Sequence, residues 1–327
     1  MLSNQEAKTY SVVLESLSAY VGRYLTFDEL EHSSRLSRLD VKAALKHLAD
    51  AGFDIHESGK GHALLSIPDS ISPIMLHCGL KCKVMGSDIH SYKTIGSTNE
   101  AARRLAEASA GEGTIVIAEK QTRGRGRLGR TWHSVSGQGL YFSVILRPKV
   151  DFARLPALSM VAALSICRAI ESCGLKAEIK WPNDCLLDGK KVAGILVELS
   201  AELDRVDYAI MGIGINVNHR PDDFPSNLRS TATSLYSITD SKINRADLFR
   251  KFLIDFEKSY HTFQRYGFRL IAPEIIKRSA VIGKKITLVL GRKKLSGIAL
   301  GFDINGALRV KDKDGVKNFS AGEVSLR

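Results

Sequence analysis

Apolar positions in the first 65 residues recur at helical spacing. Tyr10, Val13, Leu14 and Leu17 share one helical face, and Val41, Leu45 and Leu48 form a second stripe. Thr26-Phe-Asp-Glu29 has the form of a capping box, in which an N-cap hydroxyl and a carboxylate three residues on each satisfy a backbone N–H. Ser37-Arg-Leu-Asp40 repeats that signature, and Gly52 offers a C-terminal stop. Two short capped helices in succession predict a helix-turn-helix. From Phe53 to Leu65, short alternating runs flank Gly59-Lys60-Gly61, which predicts a β-hairpin wing.

The segment SIPDSISPIMLHCGL, residues 66–80, is rich in serine and proline and reads as a linker. Beyond it the apolar period shortens. Buried strands are expected at Ile115–Ala118, Leu140–Leu146, Glu178–Trp181, Gly194–Leu199 and Tyr208–Val217, with a helix through Leu155, Leu158, Ala162, Ile166 and Ile170. From about Val281, short strands alternate with turn signals at Gly291, Gly301, Asn305-Gly306 and Asp314-Gly315, the texture of a small β-barrel or sandwich.

Composition changes this picture little: 327 residues with 44% hydrophobic and 25% charged side chains are ordinary for a globular chain. No run of about 18 consecutive apolar residues and no signal-like start is present, so a cytoplasmic protein without membrane association is expected. Five cysteines without a Cys-x-x-Cys pair point to reduced thiols rather than a zinc site. Charge matters more. The net is +12, yet residues 1–65 hold seven Lys/Arg against nine Asp/Glu, while residues 276–327 hold twelve against four. A basic surface attracts nucleic acid, an acidic protein or a nucleotide alike.

Candidate chemistry is concentrated between residues 95 and 218. In TRGRGRLGRTW, residues 122–132, glycines let backbone approach an anion and arginines supply paired donors. This stretch lies between two predicted buried strands, which favours a ligand-binding loop over a nucleic-acid tail. Lys180-Trp-Pro-Asn-Asp184 reads either as a well-made turn or as a device placing Asn183 and Asp184 near a metal or substrate. Lys191 precedes a buried strand, where it can reach an anion or stay solvated. Ser97-Thr-Asn99 can cap a helix or offer neutral donors and acceptors to an uncharged ligand group. Met211-Gly-Ile-Gly-Ile-Asn-Val-Asn218 ends a central strand where ligands of α/β sheets often lie.

The combination IGSTN, QTRGRGRLGRTW, KWPND, KKVAGILVEL and GIGINVN, in that order over about residues 88–220, closely resembles biotin protein ligases. With the helix-turn-helix start, the whole chain is similar to the bifunctional type, biotin operon repressor and ligase in one. The resemblance implies an α/β (α+β) ligase domain with a mixed sheet over residues 66–280. A winged helix-turn-helix domain over 1–65 would precede it and a small SH3-like β-barrel over 281–327 would follow. It also implies that biotin and ATP form biotinyl-5′-adenylate, with Mg²⁺, before transfer to a lysine of the biotin carboxyl carrier protein of acetyl-CoA carboxylase.

Carried onto this chain, Ser97, Thr98 and Asn99 would bind the ureido ring with Gln121 nearby, and Arg125, Gly126 and Arg127 would close over the carboxylate and α-phosphate. Lys191 would meet the same oxygens, with Arg127 and Lys191 as the catalytic pair. Asn183, Asp184 and Asn216 would lie near the nucleotide phosphates and Mg²⁺, with no dedicated protein metal site. Arg38, Lys42, Lys46, His47 and Lys60 are the candidate DNA contacts, set in an N-terminal region of net −2. The implied partners are operator DNA and, with adenylate bound, a second copy of the chain. Three alternatives stay open: a ligase whose N-terminal domain does not regulate transcription, a lipoate-type ligase, and a transcriptional regulator that has lost catalysis.

Overall fold

Three helices and a two-stranded ribbon open the structure, a computed structural model that describes residues 3–202 and 205–326. Helices α1 (Asn4–Ser18), α2 (Phe27–Ser34) and α3 (Arg38–Asp50) are followed by the antiparallel strands β1 (Asp54–Ser58) and β2 (Gly61–Ser66). Ser3 and Thr26 cap α1 and α2, and Glu6 and Glu29 return the bond in full capping boxes. Helix α3 has half of one. Ser37 accepts from the Asp40 N–H at 3.2 Å, but aspartate is one methylene shorter than glutamate and keeps its carboxylate on the Ser37 hydroxyl, 2.6 Å away.

The expected linker at 66–80 is instead part of the core. Helix α4 (Pro73–His77), started by Ser72 and Pro73, packs on α1, and Ile71, Ile74, Met75 and Leu76 are all buried. Serine and proline here mark a helix start rather than a free chain.

A seven-stranded sheet forms the centre, built from β3 (Ile89–Ile95), β4 (Ile115–Gln121), β5 (Gly139–Leu146), β6 (Glu178–Lys180), β7 (Asp184–Leu187), β8 (Lys190–Glu202) and β9 (Arg205–Asn216). Its order is β3-β4-β5-β9-β8-β7-β6; only β3 and β4 run parallel, so the sheet is mixed. Helix α5 (Thr98–Glu107) makes the β3–β4 crossover and covers Val116, Ile145 and Ile210 on one face. The opposite face, with Ile117, Phe142, Val144 and Met211, packs under α6 (Leu158–Glu171) and a 22-residue helix, α8 (Arg245–Tyr266). The short helices α7 (Leu235–Thr239) and α9 (Ala272–Lys277) flank α8. Residues Phe152–Glu171 are long and apolar enough overall to cross a membrane, despite lacking a continuous apolar run, but they are 72% buried inside this protein.

The chain ends in a five-stranded antiparallel sheet, β13-β12-β11-β10-β14, from β10 (Lys285–Leu290), β11 (Lys293–Phe302), β12 (Leu308–Asp312), β13 (Gly315–Phe319) and β14 (Glu323–Leu326). Ile286, Leu288, Ala299, Leu308 and Val310 form its buried face.

One carboxylate ties α8 to the approach to β3. Glu257 accepts from three successive backbone N–H groups, those of Lys83, Val84 and Met85, at 2.7–3.1 Å. Partial burial raises its pKa, but these bonds outweigh that and hold it below the ordinary carboxylate value. Glu257→Ala is expected to cost about 1.5–3 kcal/mol at neutral pH. A depressed folded pKa stabilises above the unfolded value and is lost as pH falls through the folded one. Urea titrations should therefore show wild type and variant converging below the carboxylate range; a gap independent of pH would contradict this role.

Candidate functional site

At one end of the central sheet, the ends of β3, β4 and β9 and the starts of β7 and β8 enclose a cavity of about 500 Å³. The residues singled out from the sequence for ligand binding all line it: Ser97, Thr98, Asn99, Gln121, Arg125, Gly126, Arg127, Asn183, Asp184, Lys191 and Asn216.

The end beside α5 is neutral and buried. Ser97 holds the N-cap position of α5, yet its side chain makes no cap bond, so the hydroxyl is left for the cavity. The Gln121 carbonyl accepts from the Thr98 N–H at 2.9 Å and from its hydroxyl at 3.1 Å. Ser143 lies 2.8 Å from the Thr98 hydroxyl and 2.6 Å from the Asn99 carbonyl, and Asn99 donates to Glu198 at 2.8 Å. A Cβ on Gly212 would collide with the Asn99 amide, so the backbone of β9 is glycine where that side chain crosses it. Such a connected network orients the Thr98, Asn99 and Gln121 side chains before a ligand arrives.

The other end is cationic, with Arg125, Arg127, Arg130, Lys180 and Lys191 set against Asp184 and Glu323. The glycine–arginine stretch is a narrow flap. Trp132 N–H bonds the Gly124 carbonyl at 3.0 Å, Gly126 N–H bonds Arg130 at 2.7 Å, and a tight turn at Arg127–Gly129 closes the tip. Its arginines are parked on different partners. Arg123 and Arg125 both reach Glu100 of α5, and Arg130 reaches Glu323 of β14 at 2.6 Å. Arg127 donates to the Asn183 carbonyl at 2.9 Å and to the Gly322 carbonyl at 3.2 Å. Lys191 lies 2.6 Å from Asp184. The turn after Trp181-Pro182, a cis bond, therefore carries adjacent residues that each hold one of the two candidate catalytic cations.

Sequence reasoning missed Trp132 as part of the wall. Its indole lies over the sheet, where a Cβ at Gly214 would collide with it and one at Gly194 would come within 2.9 Å. The indole N–H is buried and meets no protein acceptor among the described residues, which leaves it for a ligand. Gly214→Ala is expected to push the ring off the wall at a cost of about 1–3 kcal/mol. An unchanged melting temperature together with unchanged ligand affinity would show that the ring swings clear at no cost.

Behind the wall, burial pushes His219 down to about 4, so the ring is neutral near pH 7; it bonds the Tyr141 hydroxyl at 2.9 Å and stacks on Phe224 of the cavity lining. Among the described residues no group of three or more His, Cys, Asp or Glu is placed to hold a metal ion.

Sequence comparison agrees with this geometry. The Biotin/lipoate A/B protein ligase family matches residues 91–216, and the Biotin protein ligase C terminal domain matches residues 281–327. Bifunctional ligase/repressor BirA of Bacillus subtilis (strain 168) is 36% identical over 96% of this chain and 97% of its own length. This chain belongs to the biotin protein ligase family. BirA of Escherichia coli (strain K12) is 28% identical over 94% of each chain. A solved member, the biotin protein ligase of Aquifex aeolicus in complex with biotin and ATP, is 36% identical. It covers 74% of this chain and 99% of that one, with a TM-score of 0.65.

The two family models leave out the N-terminal residues that hold the candidate DNA contacts, although the Bacillus subtilis relative matches 96% of this chain. Lys42, Lys46 and Lys60 are exposed. Arg38 is engaged by Asp28 and, at 3.1 Å, by Glu31. His47 is half-buried: its ring lies 5.1 Å from Tyr10 of α1, and Nδ1 sits 3.0 Å from the Ala43 carbonyl one turn back.

Proposed function

We propose that this protein is an ATP-dependent biotin protein ligase that forms biotinyl-5′-adenylate and transfers biotin to a carrier-domain lysine. The observation that carries the reading is the polarity of one cavity: a neutral, pre-bonded end at Ser97–Asn99 and a cationic end at Arg127 and Lys191. Biotin has this polarity, with an uncharged ureido ring at one end and a carboxylate at the other.

In the first step a carboxylate oxygen of biotin bonds to the α-phosphorus of ATP, and the bond to the β-phosphate oxygen breaks, releasing pyrophosphate. In the second step the lysine amine attacks the acyl carbon, AMP leaves with the bonding pair, and the amine loses a proton. Two anions must meet in the first step. Arg127, Arg125 and Lys191 neutralise them, so catalysis is positioning and charge stabilisation rather than proton transfer. The flap over Gly126 excludes water from a hydrolysable anhydride.

Mg²⁺ would enter with ATP. Asp184 with the amide oxygens of Asn183 and Asn216 is a donor set suited to a hard ion held mainly by substrate phosphates. When bound, the ion supplies further neutralisation of the phosphate charge.

The domain plan follows: residues 1–65 as a winged helix-turn-helix, 66–280 as the ligase domain and 281–327 as an SH3-like barrel. Lys42, Lys46 and Lys60 are exposed candidate contacts of the N-terminal unit, and operator DNA is the proposed partner there, with Arg38 reaching phosphate only if it leaves its carboxylates. The carrier protein of acetyl-CoA carboxylase is the proposed acceptor, the cytoplasm the proposed location, and a homodimer the proposed adenylate-bound form.

ATP–pyrophosphate exchange on the purified chain tests the ligase reading. Exchange with biotin, and none with lipoate or without either acid, is expected; exchange supported by lipoate would move the protein to the lipoate branch.

A further inference from the structure

Arg245, in the first turn of α8, is 1% exposed and lies outside the cavity lining. All five of its N–H groups are engaged. Nε lies 3.0 Å from both carboxylate oxygens of Asp69, and Nη2 donates to the Asp69 carbonyl at 3.1 Å. The two terminal nitrogens take the Glu119 carboxylate at 2.6 and 3.2 Å, and Nη1 also reaches the Gly139 carbonyl at 3.2 Å.

Three separate pieces of chain meet on this one guanidinium. Glu119 is two residues before Gln121 on β4, and its carboxylate also accepts from the Gly137 N–H at 3.1 Å, in the segment running from Trp132 to β5. Gly139 opens β5 and pairs with Asn216 of the cavity. Asp69 belongs to the segment that leads into α4, and α4 packs on α1 of the N-terminal unit. Stability alone is a weak reason for such a cluster. A buried ion pair seldom outperforms apolar packing, and two carboxylates on one guanidinium leave a net negative charge to be solvated. Its distinctive property is that the cavity wall cannot shift without moving groups that hold Asp69.

We infer that Asp69 is a positioning residue that couples the seating of α4, and with it the N-terminal unit, to occupation of the cavity. The inference rests on the ligase reading above. Coupling of this kind is reciprocal: if the seated segment favours the bound cavity, ligand must favour the seated segment to the same degree.

The test uses the full chain and its Asp69→Asn variant, which keeps shape and removes charge, with Asp69→Ala as a second variant. Exchange kinetics give KM for biotin and kcat, and hydrogen exchange reads the amides of residues 66–80 with and without biotin and ATP. In the unaltered chain ligand should raise protection across residues 66–80. In Asp69→Asn that increase should vanish, and KM for biotin should rise roughly tenfold with kcat little changed. Should Asp69→Ala fail to fold, the isosteric variant decides alone. A lowered melting temperature with KM and ligand-dependent protection intact would reduce the cluster to a staple and overturn the coupling. Ligand protection that stops short of residue 80 and leaves 66–80 unchanged in the unaltered chain would overturn it too. Absence of biotin-dependent exchange in the unaltered chain is a different result, which removes the ligase reading and this coupling together.

Discussion

Lys191→Ala is expected to lower biotin-dependent ATP–pyrophosphate exchange by about 10²–10³-fold with the fold retained. The backbone of Lys191 is fixed independently of its side chain: its N–H bonds the Thr231 carbonyl at 2.8 Å and its carbonyl accepts from Thr233 at 2.9 Å. The ammonium stands 5.4 Å from the centre of the Trp132 ring and beside Asp184, aimed along the cavity wall. A partly exposed pair of this kind contributes about 0–1 kcal/mol to stability, so melting should change little. The loss falls on the step that brings two anions together. Part of it has a second origin, because removing the lysine leaves Asp184 unpaired beside incoming phosphates. The double variant Lys191→Ala/Asp184→Asn separates the two: it should recover some rate and still fall well short of the unaltered chain. Exchange within about threefold of normal in Lys191→Ala would remove the lysine from the chemistry.

Sequence pattern carried the helices furthest where caps and apolar stripes coincide. Thr26 and Glu29 announce α2, and Tyr10, Val13, Leu14 and Leu17 announce α1, because both signals are local. The strands around the glycine–arginine flap were legible for the same reason, as continuous apolar runs. Helix α8 carries the same local signals: Asn244 caps it, and Leu248, Phe249, Phe252, Phe256 and Phe263 line its buried face. What local pattern does not contain is pairing across the fold. Glu100 meets two flap arginines, Ser143 joins Thr98 to Asn99, and Glu198 takes the Asn99 amide from 99 residues away. Each is an unremarked polar residue until the sheet brings it in. His47 is half-buried, with its ring against Tyr10 of α1, a contact that helical spacing alone does not contain. The segment 66–80 misleads through composition, as two prolines and three serines conceal Ile71, Ile74 and Leu76, all buried.

Arg127→Ala is expected to release biotinyl-5′-adenylate faster by roughly 30- to 1000-fold, the equivalent of about 2–4 kcal/mol for a desolvated cation that meets an anion. The reason lies in how the flap distributes its charge. Arg123 and Arg125 share the Glu100 carboxylate and Arg130 pairs with Glu323, whereas the Arg127 bonds among the described residues go to the Asn183 amide and the Gly322 carbonyl. Neutral acceptors orient a guanidinium without cancelling its charge, so Arg127 is the flap arginine best able to spend that charge on a ligand. Arg123 and Arg130 already have carboxylate partners, and Arg125 must leave Glu100 to join Arg127 on a ligand. Arg123→Ala, which removes an exposed pair, should therefore change the release rate by no more than about fivefold. Arg127→Lys should fall between the two, because a lysine keeps the charge and loses the planar fork that reaches both carbonyls. Release can be followed by stopped-flow through the fluorescence of Trp132 and Trp181, which both line the cavity. If Arg127→Ala and Arg123→Ala release the adenylate at the same rate, the flap acts as a steric cover and its arginines are interchangeable.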